Sequence, residues 1–289
     1  MGKIVSWALA AGLALICGVP ATADPLAKDV FGAARGPTAG PAQAIGFYSK
    51  GCASGLVAMP ESGPTWQVMR LSRNRFYGTP DLVGLLQGLS QVAAQVGWRG
   101  LYFGDMSQPR GGPMVTGHAS HQLGLDADIW MLPPPSLQLS QGEREKISSQ
   151  SVVAGNGTQP SALWSGAHMA IIRAAARDPR VQRIFVDPVA KWSMCQSERG
   201  DRSYLRKIQV LNGHDYHFHV RLRCPAGSPG CTGQAEVPPG DHCDAAAQAI
   251  QERINPPKPA PGPQPATRHP RSYRLSELPS VCRNVAAAR

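Results

Sequence analysis

Several common signatures of metal and nucleophile chemistry are missing from this chain of 289 residues. There is no Cys-x-x-Cys pair, which argues against a cysteine zinc site, and no His-Glu-x-x-His helix to set a glutamate base beside a metal. Neither Ser-x-x-Lys nor Gly-x-Ser-x-Gly occurs, so catalysis through an acylable serine is disfavoured. After residue 23 no segment approaches the roughly 20 apolar residues of a membrane-spanning helix, so no stable membrane insertion is expected. No internal repeat is visible, and no nucleic-acid motif accompanies the formal charge of +10. The basic residues (Arg70, Arg73, Arg75; Arg221, Arg223) are scattered rather than gathered in one run. A nucleic-acid partner is therefore not expected, whereas an anionic wall polymer suits the charge. Nothing specifies an oligomeric state.

What is present begins with a leader. Lys3, an apolar stretch from Ile4 to Val19 and the small-x-small Ala21-Thr22-Ala23 predict a secretory signal over residues 1–23, cleaved before Asp24. Cys17 follows Ile16 where a lipid anchor needs a small residue, so an exported, unanchored protein is expected. Six cysteines remain in the mature chain, an even number in an oxidising compartment, which predicts three disulfides. Six thiols allow 15 pairings in principle. Cys224 and Cys231 flank the turn Pro225-Ala226-Gly227-Ser228-Pro229-Gly230, so their bridge is predicted on spacing alone.

With 42% hydrophobic residues the chain can bury a real core, and one domain with a tail is the natural division. Residues 24–41 are small and rich in Gly and Pro and read as a loose arm; 42–254 form the domain. Within it, Trp66 to Leu71 is strand-like. Thr79 as cap, Pro80 in the first turn and Leu82, Leu85, Leu86, Leu89, Val92, Ala93 and Val96 at helical spacing predict a helix running to Gly97. Gly100 to Met106 reads as a strand, Ser140-x-x-Glu143 as a capping box, Ser161 to Arg177 as a helix and Val181 to Asp187 as a buried strand. Helical pieces are expected at Pro188 to Cys195 and Ser203 to Leu211. Residues 255–289 form a proline-rich tail, extended at first and ending near Cys282, where a disulfide is expected to return it to the domain.

Five of the eight histidines fall in two short windows, His118-Ala-Ser-His121-Gln-Leu-Gly124-Leu-Asp126-Ala-Asp128 and His214-Asp215-Tyr216-His217-Phe218-His219. A catalytic zinc wants about three N or O ligands from the protein and an exchangeable water, a demand two His and one Asp can meet. On a strand His217 and His219 share a face, with alpha carbons about 6.6 Å apart. Gly124 permits a turn or a close backbone approach between His121 and Asp128. Asp126 and Asp128 also share a face if Leu125 to Met131 is extended, and the pattern alone does not choose between them.

Ser120-His121-x-x-Gly124-x-x-x-Asp128 with a distant His217-x-His219 resembles the zinc peptidases of the lysostaphin, D-Ala-D-Ala peptidase and hedgehog superfamily. Gly104-Asp105-Met106, Gly117-His118-Ala119-Ser120-His121-Gln122, Gly124-Leu125-Asp126, Arg183-Ile184-Phe185-Val186 and His219-Val220-Arg221-Leu222-Arg223-Cys224-Pro225 narrow it: the chain resembles the penicillin-insensitive murein endopeptidases from near Ala42 to Cys282. The resemblance implies zinc held by His121, Asp128 and His219, with His118 beside them, either orienting the others or holding another metal ion. It implies disulfides Cys52–Cys282, Cys195–Cys243 and Cys224–Cys231. The loop Gly155-Asn156-Gly157-Thr158-Gln159-Pro160 departs from relatives that carry an Asp and a His there, which leaves a second metal without those ligands. His168, nearby, reads as an ordinary surface or packing residue.

The fold this implies is α+β: a small antiparallel sheet carries the zinc site, helices flank it, and a disulfide pins the proline-rich tail. The function it implies is hydrolysis of the D-alanyl–meso-diaminopimelyl cross-link of peptidoglycan in the periplasm, indifferent to β-lactams. Zinc makes an attacking water acidic enough at neutral pH. His217 is the first choice of base, with His214 as a helper at the oxyanion. Asp105 and Asp215 are candidates to orient imidazoles. A zinc D,D-carboxypeptidase or a non-catalytic wall-binding protein of the same fold are the alternatives.

Overall fold

The computed structural model describes residues 2, 24–258, 262 and 268–288. The expected leader over 1–23, Gly2 apart, and most of the proline stretch lie outside the described residues.

In chain order the elements are α1 (Ala27–Gly32), β1 (Gln43–Phe47), β2 (Lys50–Ser54), β3 (Val57–Ala58), β4 (Ser62–Gly63), β5 (Trp66–Val68), β6 (Tyr77–Gly78), α2 (Pro80–Gln95), β7 (Leu101–Phe103) and β8 (Asp126–Trp130). They continue with α3 (Gln141–Lys146), α4 (Gly166–Arg177), β9 (Val181–Val186), α5 (Pro188–Ser197), β10 (Ile208–Val210), β11 (His217–Leu222), α6 (Cys243–Ile254) and α7 (Val281–Ala287). The α+β class is as expected. The main sheet has seven strands in the order β10-β9-β11-β8-β7-β5-β4, and two antiparallel pairs, β1-β2 and β3-β6, stand apart from it. Its centre is antiparallel, β9 to β11 to β8 to β7, and the parallel pairs β10-β9 and β5-β7 lie outside that centre.

Alternation makes the two faces of this centre unlike. Ala127 and Ile129 of β8 and Phe218, Val220 and Leu222 of β11 enter the main core with Leu85, Leu86 and Leu89 of α2 and Ile171 and Ile172 of α4. The other face carries Asp126 and Asp128 from one strand and His217, His219 and Arg221 from its neighbour. These five are buried too. Polar groups under such cover need partners, and the pattern of who has one defines the site.

α2 follows its sequence pattern: the Thr79 hydroxyl accepts from Leu82 N–H, and Leu82, Leu85, Leu86, Leu89 and Ala93 are buried. α3 opens on the capping box of Ser140 and Glu143. α4 starts later than Ser161, because Ser161 N–H is spent on Val152 O (2.8 Å) and a second cap, Ser165 with His168, starts the helix. Ser203 to Leu211 is not one helix. A 3-10 turn covers Ser203–Lys207, after which Ile208–Val210 pairs in parallel with Ile184–Val186 and Ile208 enters the main core.

The arm over 24–41 is less loose than its composition suggests. Ala27 and Phe31 of α1 are fully buried among Ile45, Cys52, Leu278, Cys282 and Val285, and Ala27 N–H donates to Tyr273 O (2.9 Å). Burial of a Phe side chain is worth about 1.5–3 kcal/mol, enough to order a short helix that has a partner. That partner is the returning tail. Cys52–Cys282 ties α7 to β2, Cys195–Cys243 ties α5 to α6, and Cys224–Cys231 closes the predicted turn. Among the described residues no helix is long and apolar enough to cross a membrane.

Candidate metal centre

The register of β8 against β11 sets His219 opposite Asp128 and Arg221 opposite Asp126. Cross-strand pairs on one face lie about 4.5–5.5 Å apart at Cβ, so the two aspartates meet the second window of histidines directly. His121 arrives from the loop before β8 with a left-handed backbone, φ 66°, a costly conformation for a residue with a Cβ. The loop is held there: Ser107 Oγ donates to His121 O (2.7 Å), and Gly124, φ 69°, lets the backbone pass so close to Leu56 that a Cβ would lie 2.4 Å from its Cδ2. The close approach anticipated at Gly124 is what this loop uses.

Three imidazoles converge on one oxygen. Asp128 Oδ1 lies 3.4 Å from His121 Nε2, 3.5 Å from His219 Nδ1 and 3.5 Å from His217 Nε2. None of these is a good hydrogen bond, and Asp128 Oδ1 and His121 Nε2 are buried with no partner. Each such orphan costs about 1–3 kcal/mol. The rings are turned by the bonds behind them. His121 Nδ1 donates to Met106 O (2.8 Å) and His219 Nε2 donates to Asp126 Oδ1 (2.7 Å), which turns His121 Nε2 and His219 Nδ1 toward Asp128. Burial works to lower the His121 pKa, but Asp128 prevails and raises it, so a metal at Nε2 would displace a proton. Asp126 itself is gripped by Arg221 Nε at 2.6 Å. One donor atom each from His118, His121 and Asp128 also lies within 4.8 Å of the others, so this group could hold a metal ion. An imidazole and carboxylate set with unpartnered atoms fits a borderline ion such as zinc.

His118 differs from the other rings. Its Nε2 donates to Asp105 Oδ2 at 3.1 Å and stands 3.5 Å from Asp128 Oδ2. Asp105 in turn accepts from Arg73 Nη1 (3.1 Å) and Arg75 Nη1 (3.0 Å). Burial works to raise the Asp105 pKa, but His118 and the two arginines prevail and hold it at about 2. Burial is likewise outweighed at Asp128, where His217, His121 and His118 keep the carboxyl well below its usual range. His217 and His214 are both lowered, by burial first; Asp128 works against this at both, and neighbouring imidazoles add to it. His219 falls to about 3, again chiefly through burial, with His121 adding to it.

His217 is nearly enclosed, and its Nδ1 has no partner. His214 stands at the edge, its ring 4.8 Å from that of His217 and 5.9 Å from that of His219, with Nδ1 3.3 Å from Asn212 O. Of the two carboxylates expected to orient rings, Asp105 does so; Asp215 bonds to no imidazole among the described residues. His168 lies elsewhere and is fully used: Ser165 N–H donates to its Nδ1 (3.2 Å) and its Nε2 donates to Met131 O (2.8 Å). The sequence alone assigns no role to Arg221 and Arg75, the buried cations that clamp Asp126 and Asp105, nor to Arg73, which meets Asp105 from the solvent side. Period-two spacing after His217 and His219 would have put Arg221 on their face; nothing local marks Arg73.

Two clefts meet at this group. One, of about 300 Å3, is bordered by Arg70, Arg73, His118, Trp130, Tyr216 and His217. The other, of about 360 Å3, is bordered by Phe47, Tyr48, His118, Phe185, Leu211 and His214.

An α+β domain whose central strands bring histidines and an aspartate to one buried, unpartnered point defines a class, the candidate metal-binding proteins of that build. Known proteins narrow the class: the chain belongs to the penicillin-insensitive murein endopeptidase family, whose model matches residues 44–287. Proteins named penicillin-insensitive murein endopeptidase are similar over most of their length. The one from Haemophilus influenzae is 41% identical over 226 residues, 76% of each chain. One from Klebsiella pneumoniae is 42% identical over 245 residues, 84% of this chain and 88% of that one. One from Salmonella newport is 40% identical over 248 residues, 85% and 86%.

Proposed function

We propose that the chain is a zinc-dependent murein endopeptidase that hydrolyses the D-alanyl–meso-diaminopimelyl cross-link of peptidoglycan in the periplasm, after loss of residues 1–23. The observation that carries this is Asp128 Oδ1, buried and unpartnered with imidazole nitrogens of His121, His217 and His219 at 3.4–3.5 Å, in a chain of this family. His121 Nε2, Asp128 Oδ1 and His219 Nδ1 would hold the metal, His118 standing behind them through Asp105. When bound, zinc supplies Lewis-acid polarisation of the scissile carbonyl and a more acidic attacking water.

The remaining work falls to side chains. His217, kept neutral by burial, takes up the proton of the attacking water and returns it to the leaving amine. His214, beside it at the open edge, orients the substrate where the carbonyl oxygen gains negative charge. No serine is acylated, so β-lactams have no target. The zinc-loaded mature protein is expected to release monomers from cross-linked muropeptide dimers, to stop with a chelator and to ignore penicillin. Failure to cleave the dimers would overturn the proposal, and trimming of pentapeptide monomers in preference to dimers would replace it with a carboxypeptidase.

A further inference from the structure

The two clefts beside the metal group differ in charge, and the difference gives the substrate a direction. Arg221, the arginine nearest the Phe185 cleft, is spent: it is buried, bound to Asp126 and Gln234, and stacked over the Tyr48 ring at 4.3 Å. Phe47, Phe185 and Leu211 make the rest of that cleft largely apolar, and Leu211 is 47% exposed.

Arg73, in the other cleft, is not spent. Its side chain is 48% exposed, and its one hydrogen bond among the described residues goes to Asp105 Oδ2. That carboxylate already has the buried Arg75 at 3.0 Å as counter-ion. Most of the five guanidinium N–H donors of Arg73 therefore have no partner among the described residues, at the border of the cleft. The turn that presents it has left-handed backbones on either side, at Arg70 and Asn74 (φ 59° and 52°), and is tied down by Ser72, whose N–H and Oγ donate to Glu145 (2.9 and 2.8 Å). Arg70 adds a second cation but gives its Nη2 to Ile147 O and Ser148 Oγ.

In the cross-link the carbon that bears the scissile nitrogen also bears a free carboxylate, whereas the acyl-side alanyl residue is neutral with a methyl group. We propose, on the endopeptidase reading above, that the Arg73 cleft receives the amine-side residue and pairs the Arg73 guanidinium with its carboxylate, while the Phe185 cleft takes the acyl side. Arg73 thus sets specificity for an amide whose amine partner is an α-amino acid with an unmodified carboxylate. A neutral amide in that place would leave the guanidinium without its partner.

Two cross-linked dimers differing only in this carboxylate, free in one and amidated in the other, test the pairing with the zinc-loaded mature protein. Amidation is expected to lower kcat/KM by about 10- to 100-fold, mainly through KM, as befits a lost charge-assisted bond. Arg73→Gln should lose a similar factor on the free-carboxylate dimer and nothing more on the amidated one, with zinc content unchanged; Arg73→Lys should recover part of the loss. Equal cleavage of both dimers by the wild type, or an equal loss on both in Arg73→Gln, overturns the assignment alone. Loss of zinc in Arg73→Gln also overturns it, by tying Arg73 to the support of Asp105. No cleavage of either dimer by the wild type overturns the endopeptidase reading and this assignment together.

Discussion

The polar face shared by β8 and β11 has two halves, two residues apart along each strand, and they are built on opposite rules. Around Asp126 the oxygen that meets the histidine face is taken, although its other oxygen, Oδ2, is buried with no partner. Oδ1 accepts from Arg221 Nε and His219 Nε2, and Arg221 lies over Tyr48 and Phe185. Around Asp128 three imidazoles approach one oxygen and none bonds to it well. On the proposed function the half around Asp126 is a support and the half around Asp128 holds the metal. Sequence alone treats the two aspartates as equals; what separates them is which one the rest of the chain has already neutralised.

The sharpest way to break this contrast is Asp128→Asn. Activity is expected to fall about a thousandfold or more with loss of bound zinc, since the change removes the charge at the convergence point. The metal-free protein should change little in thermal stability, because the burial cost of the charge disappears together with the favourable field of His217, His121 and His118, and no good hydrogen bond is lost. A large drop in the midpoint of the metal-free variant would show that Asp128 is structural after all.

Asp126→Asn should show the reverse order of effects. It strands a buried arginine, for which the cost is about 3–5 kcal/mol, and it frees the His219 ring to turn, which weakens metal affinity by about 10- to 100-fold. Denaturant unfolding and zinc titration measure the two effects separately. Combining Asp126→Leu with Arg221→Met should recover much of the stability and none of the zinc affinity. If the double variant binds zinc as the wild type does, the supporting role of Asp126 is wrong.

Zinc itself should act only through the half around Asp128. At about a hundredfold excess over its Kd it is expected to stabilise the wild type by about 2.7 kcal/mol and to leave Asp128→Asn unmoved. Calorimetric scans with and without the ion decide this.

How far the sequence reached into this arrangement follows from the range of the forces involved. Period-two alternation is local, so the common face of Asp126 and Asp128, and of His217 and His219, could be read directly. So could α2, whose cap, proline and leucine stripe lie within 18 residues. The ring orientations could not be read, because Met106 O behind His121 and Arg221 behind Asp126 reach their partners only through the folded sheet. Ile208–Val210 and α1 depend on partners still farther along the chain, β9 and the returning tail, and local composition predicted something else for both. Two of the disulfide pairings came from the family resemblance rather than from spacing, which for 15 possible pairings leaves most open.

The smallest expected effect separates two buried histidines that look alike in sequence. His168 is as enclosed as His121, yet both its nitrogens are paired, Nδ1 with Ser165 and Nε2 with Met131 O. His168→Gln should therefore cost only about 1–2 kcal/mol, with zinc content and activity per folded molecule intact. Its pH dependence gives a second check. Burial lowers the His168 pKa below the ordinary imidazole value of 6.5, so between the two values the unfolded chain binds a proton that the folded one refuses. Stability therefore falls as pH drops below about 6.5 and levels off once the folded state is also protonated. The glutamine variant cannot titrate there, so its acid slope should be shallower than that of the wild type. An unchanged slope would mean that another group carries the acid sensitivity, and a loss of zinc would move His168 from the packing of α4 into the metal centre.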